Sequence, residues 1–178
     1  MYNFSESRFD EFIHELGKRS KHVSKEGQRL LDKIKPGDGL EIDRGFYRHY
    51  GVYLGNNVIL ELNGSTSGKN KSRLIDADTF LLNQKASDVT AHKSHKFTLQ
   101  QIRERAKNAI NHAKLPYNLV TNNCEHFMEE ILNGKHESHQ VKSVGTYAST
   151  ISRGIGRHWD SLYKKNSDKK KKFYRSFL

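Results

Sequence analysis

The chain of 178 residues contains a single cysteine, Cys124, which excludes an intramolecular disulfide. No apolar run approaches the ~20 residues that a membrane-spanning helix needs. The N-terminal stretch also lacks the apolar core of a secretory signal. Together these absences place the protein, as an expectation, in a reducing cytoplasmic setting. Hydrophobic residues make up 34% of the chain and the mean hydropathy is −0.85, low for a fully compact globule. Part of the length is therefore expected to be solvated extension around one domain with its own core. Acidic residues are scarce, at 20 against 31 Lys and Arg, for a net charge of +11. The excess is concentrated, because residues 153–178 hold nine Lys/Arg and two Asp, a net +7. His92-x-x-His95 and His136-x-x-His139 have a spacing that zinc can use. No second cysteine and no clustered acids accompany them, so neither a metal nor a cofactor is expected.

What is present reads as an α+β domain. Phe9, Phe12, Ile13 and Leu16 recur on one helical face that Gly17 ends, and Leu30, Leu31 and Ile34 form a weaker helical patch. Pro36-Gly37-Asp38-Gly39 then punctuates the chain and opens the main domain. Leu40 and Ile42 alternate with charged residues as in a half-buried strand. A longer strand is predicted over 46–54, followed by a Gly55-Asn56-Asn57 turn and a strand over 58–62, the pattern of a hairpin. Residues 63–71 read as a loop. The stretch to Lys96 carries no clear pattern beyond a possible strand over 89–97. Thr98 with Gln101 forms a capping box for an amphipathic helix whose face holds Leu99, Ile102, Ala106, Ala109, Ile110 and Ala113. A further helix carries Cys124, Phe127 and Ile131 on one side and stops at Asn133-Gly134.

The lone thiol sits where the polar turn Thr121-Asn122-Asn123 meets that helix. A thiol in a first helical turn feels the positive end of the macrodipole, which predicts a thiolate. His49 lies upstream in a strand-like run. A cysteine and a distant histidine are the minimum set for thiol-based acyl transfer.

Three stretches taken together resemble one family: Pro36-Gly37-Asp38, Arg44-Gly45-Phe46-Tyr47-Arg48-His49, and Asn123-Cys124-Glu125-His126-Phe127. The family is the LRAT-like one, which takes in lecithin:retinol acyltransferase and the HRAS-like suppressor phospholipases and acyltransferases. The resemblance runs over residues 35–142 and includes Glu129, Gly134 and Gln140-Val141-Lys142. It implies a circularly permuted papain-like fold of the NlpC type, with an antiparallel sheet packed against the helix that bears the nucleophile. It also implies Cys124 as nucleophile and His49 as base, with a phospholipid ester as substrate. Arg44 matches a family arginine near the site. Tyr47 is a candidate oxyanion donor beside the Cys124 backbone N–H, and His126 is read as structural.

The third position departs from the family, which usually has a histidine twelve residues after the first. Here that register holds Glu61. A carboxylate can accept the hydrogen bond that fixes the tautomer of His49 and can stabilise its imidazolium. Strand phase allows His49 and Glu61 to share one face of the hairpin. The alternative is a degenerate site in a non-enzymatic lipid-binding or interaction module. A peptidase of the NlpC type is a further alternative.

Domain organisation is read as a helical extension (1–34), the catalytic domain (35–142) and a basic amphipathic tail (143–178). Relatives often carry a hydrophobic anchor after the domain. This chain has a helical stripe with Trp159, followed by Lys164, Lys165, Lys169, Lys170, Lys171, Lys172 and Arg175 among aromatics. Basic residues mixed with aromatics suit an anionic membrane surface, with nucleic acid the less favoured partner.

Overall fold

The computed structural model describes residues 6–19, 22–45, 47–63, 69–111, 115–116 and 124–134. A six-stranded antiparallel sheet organises them, in the order β5-β1-β2-β3-β4-β6. The strands are β1 (Gly39–Asp43), β2 (Arg48–Gly55), β3 (Val58–Asn63), β4 (Lys69–Ile75), β5 (Val89–His92) and the short β6 (Leu115–Pro116). Helices cover both faces: α1 (Glu6–Arg19), α4 (Leu99–Asn111) and α5 (Cys124–Asn133) on one, α2 (Lys25–Lys33) and α3 (Ala77–Leu81) on the other. No helix among the described residues is long and apolar enough to cross a membrane.

Strand alternation sorts the core between the faces. Tyr50, Val52, Leu54, Leu60 and Leu62 pack with α1, α4 and α5 around Phe9, Ile13, Ile102, Phe127 and Met128. Tyr53, Ile59, Leu40 and Ile42 pack with α2 and α3 around Leu30 and Phe80. Because β2 is covered on both sides, it is buried almost throughout and does not alternate between apolar and polar residues. The N-terminal stripe lies in the core, with Phe9, Ile13 and Leu16 all buried.

The hairpin turn forms where the Asn pair predicts it. Asn56 and Asn57 have φ of 52° and 58°, the left-handed pair of a two-residue turn matching strand twist. The capping box at α4 is also present, with Thr98 N–H donating to Gln101 Oε1 (2.9 Å) and Gln101 N–H to Thr98 Oγ1 (3.3 Å). Four expectations need correction. The stretch read as a loop to residue 71 already contains β4 from Lys69, and α3 lies in what looked patternless. The strand expected over 89–97 ends at His92, and the strand expected from 46 begins at Arg48. The sequence stretch 143–178 lies outside the described residues.

Gly51 decides how the second face packs. A Cβ there would lie 2.8 Å from Ile59 Cγ2 and 3.0 Å from Phe80 Cε2. The Phe80 ring, in turn, sits 5.5 Å from the His49 ring. Gly51→Ala is therefore expected to displace Phe80 and to destabilise the protein by about 1–3 kcal/mol through overpacking, read as a lower denaturant midpoint with an unchanged slope.

Candidate active site

The backbone hydrogen bonds of β2 determine what faces what. Arg44 N–H donates to Tyr47 O and Tyr53 N–H to Asp38 O, both at 2.9 Å. Main-chain groups of residues 47, 49, 51 and 53 therefore point to β1, and those of Arg48 and Tyr50 point to β3. Yet β3 pairs with β2 only as far as Gly51–Glu61, although β1 stays paired to Arg48 and β4 stays paired to Asn63. The two hairpin strands thus separate beside Arg48 and Tyr50. Cys124, the first residue of α5, fills that separation, and its thiol donates to Arg48 O at 3.4 Å. The Tyr50 backbone N–H faces the same sulfur. The nucleophile candidate so lies against the segment 48–50 that carries His49.

His49 and Glu61 share the opposite face, as the hairpin phase implies. His49 Nε2 and Glu61 Oε2 are 2.7 Å apart, at 1% and 0% exposure. The carboxylate is ionised and accepts only, so Nε2 carries the proton. The nitrogen left without that proton is Nδ1. The other carboxylate oxygen belongs to Arg73, which donates to Oε1 from Nε at 2.6 Å and brings a terminal nitrogen into ion-pair contact with the same atom. Arg73 stands directly across the β3–β4 ladder from Glu61.

Burial governs the electrostatics. It pushes Glu61 up, but Arg73 and His49 overcome it and leave the carboxyl at about 2. It holds His49 below its ordinary value, with Glu61 opposing and Arg44 and Arg73 adding to the depression. It pushes the Cys124 thiol up to about 12, against the Tyr50 and Cys124 backbone N–H groups. The resting pair at neutral pH is therefore thiol and neutral imidazole. The helix N-terminus favours a thiolate, but burial of Cys124 opposes it and is the larger effect here.

The remaining candidates fall elsewhere. The Arg44 guanidinium turns to α3. It donates to Leu81 O at 2.8 Å, and to Phe80 O and Gln84 Oε1, gripping the C-terminal carbonyls of α3. Its charge also acts on His49. Tyr47 is buried just before β2. His126 is buried in α5. His92 Nε2 lies 2.9 Å from Glu41 Oε2, and Arg48 holds the other oxygen of that carboxylate at 3.0 Å. Trp159, Lys164, Lys165, Lys169, Lys170, Lys171, Lys172 and Arg175 lie outside the described residues, as do His136 and His139. Sequence reasoning missed Arg73, whose signal was a cation on the strand next to a buried glutamate. It missed the contribution of the Arg48 carbonyl and Tyr50 N–H as well, which only the strand separation reveals.

Comparison with known proteins gives the same segment a family. Residues 32–137 match the family described as Lecithin retinol acyltransferase. Phospholipase A and acyltransferase 3 from Homo sapiens is 30% identical over 145 residues, covering 70% of this chain and 86% of that protein. Phospholipase A and acyltransferase 2 from Homo sapiens is 28% identical over 131 residues, covering 62% and 77%. Phospholipase A and acyltransferase 1 from Rattus norvegicus is 25% identical over 136 residues, covering 67% and 80%.

Proposed function

The chain belongs to the lecithin retinol acyltransferase family, and on that premise we propose that it is a thiol-dependent phospholipid acyl hydrolase and acyltransferase. Cys124 is the nucleophile, His49 the base and Glu61 the third residue. The observation that carries this reading is the array itself. A helix-start thiol rests against the strand segment of a buried histidine whose Nε2 bonds a buried carboxylate at 2.7 Å.

Because the resting pair is neutral, the thiol first turns from the Arg48 carbonyl to His49 Nδ1. Sulfur then attacks the ester carbonyl carbon as its proton passes to Nδ1. The Cys124 backbone N–H, at the positive end of α5, is the donor offered to the oxyanion. Collapse breaks the carbon–oxygen bond of the ester, His49 returns its proton to the leaving alcohol, and a thioester remains. Water or an amine next gives a proton to His49 and attacks the thioester carbonyl. The sulfur leaves and is reprotonated, and the acyl group departs as acid or amide. Glu61 keeps the proton on Nε2 throughout, so that Nδ1 is the exchanging atom.

The same reading places the protein in the cytoplasm. It gives the basic, aromatic stretch 143–178 the task of holding the domain at an anionic bilayer, where each Lys or Arg near the headgroups contributes about 1 kcal/mol. The test is acyl-enzyme trapping with acyl-labelled phosphatidylcholine and phosphatidylethanolamine. Hydroxylamine-sensitive label is expected on the wild type and none on Cys124→Ala. A folded wild type that takes no label and releases no product from either lipid would assign the fold to a binding module instead.

A further inference from the structure

Glu61 sets the electrostatics beside His49. A carboxylate at 0% exposure brings a full charge into the core. Burying such an ion without a partner costs several kcal/mol, and one hydrogen bond from a neutral histidine does not offset it. The counter-charge comes from the neighbouring strand. Arg73 faces Glu61 across the β3–β4 ladder and donates from Nε to Oε1, its terminal nitrogen in ion-pair contact with that oxygen, whereas Oε2 goes to His49. The two oxygens are thus divided between a fixed cation and the imidazole. Arg73 reaches the surface at only 28% side-chain exposure, so its charge is partly shielded from water as well.

We infer that Arg73 is a positioning residue for the reaction, holding Glu61 ionised and turned so that Oε2 receives the Nε2 proton of His49. The inference rests on the reading of Cys124 and His49 as the reacting pair. Arg73 touches neither residue's reacting atom and acts through the carboxylate. Its second effect is on basicity. A cation beside the His49–Glu61 pair lowers the affinity of that pair for a further proton, which keeps His49 neutral, and so able to act as base, down to lower pH.

The experiment is ¹⁵N NMR of the histidine rings in the full chain, beside the pH profile of kcat/KM on phosphatidylcholine. His49 is identified among the ten histidines by its loss in His49→Gln. In the wild type the ring is expected as the Nε2–H tautomer. In Arg73→Met the first proton taken up by the pair is expected at a pH higher by about one unit or more, and the acid limb of kcat/KM moves with it. Arg73→Lys, which keeps the charge, is expected to move it by less than half as much. An unchanged His49 midpoint in folded Arg73→Met, with a rate lowered equally at every pH, overturns the inference and leaves Arg73 a sheet contact. If Arg73→Met does not fold, the comparison runs between Glu61→His and Glu61→His/Arg73→Met. There Arg73 acts on His49 by its charge alone, so removing it is expected to raise the His49 midpoint; an unchanged midpoint overturns the inference. Absence of phospholipid turnover in the wild type would sink the functional reading, and the ring titration would still decide the role of Arg73.

Discussion

Cys124→Ser is expected to fold like the wild type and to lose about 10⁴-fold or more in acyl transfer. The two side chains differ by one atom. A serine hydroxyl can donate to Arg48 O in place of the thiol, which now does so at 3.4 Å, so the seat between β2 and β3 stays filled. The chemistry does not survive the exchange. His49 is a weakened base, held below its ordinary value by burial, and a hydroxyl gives up its proton far less readily than a thiol. Stability separates the two proteins in the opposite direction. The Cys124 thiol is raised from 9.0 to about 12 in the folded state. Above pH 9 the unfolded chain loses that proton and the folded chain keeps it, so folding weakens as pH rises towards 12. Tyr50, raised by burial, weakens both proteins alike in that range. The expected result is an alkaline loss of thermal stability that is steeper in the wild type than in Cys124→Ser, measured by melting between pH 8 and pH 11. Equal slopes would mean that the thiol is not buried as described, and retained turnover would mean that sulfur is not the nucleophile.

The parts of this site that could be read from the sequence are those set by local rules. The Asn56-Asn57 pair dictates a tight turn, and the turn dictates the phase that brings His49 and Glu61 to one face. The motifs around His49 and Cys124 carried the family, and with it the α+β papain-like arrangement of sheet and helix. Arg73 was illegible for a physical reason. Lys69-Asn70-Lys71-Ser72-Arg73 is polar at every position, so β4 carries no alternation, and it forms because β3 offers a partner edge. The five residues of α3 are too few to show a helical period, yet they bring Phe80 against His49. The protonation state of Cys124 was hidden in the same way. The dipole at a helix start is a local property. The desolvation that overrides it comes from burying Cys124 against β2 in the core, a tertiary effect.

Glu61→Gln is expected to cost about 10⁴-fold in kcat/KM, the scale on which a triad fails when its histidine holds the wrong tautomer. The shape is conserved and the donors are not. Arg73 has only N–H groups to offer, and its Nε–H donates to the oxygen now called Oε1, with a terminal nitrogen in contact with the same atom. The amide of a glutamine must therefore turn its oxygen to Arg73, which leaves its NH₂ facing His49. Nε2 then becomes the acceptor and the ring proton moves to Nδ1, the nitrogen that has to receive the thiol proton. A base protonated at its working atom cannot start the reaction, although every residue keeps its place. The double variant Glu61→Gln/Arg73→Met releases the amide to flip, so its oxygen can accept from Nε2–H again. It is expected to recover about 10-fold or more over Glu61→Gln alone, since each tenfold asks for only ~1.4 kcal/mol of restored geometry. The ring ¹⁵N shifts of His49 report the tautomer directly in both proteins. If Glu61→Gln keeps the Nε2–H tautomer and still loses activity, the carboxylate acts by its charge on the imidazolium and not by fixing the proton. If it keeps its activity, Glu61 is not the third member of the array.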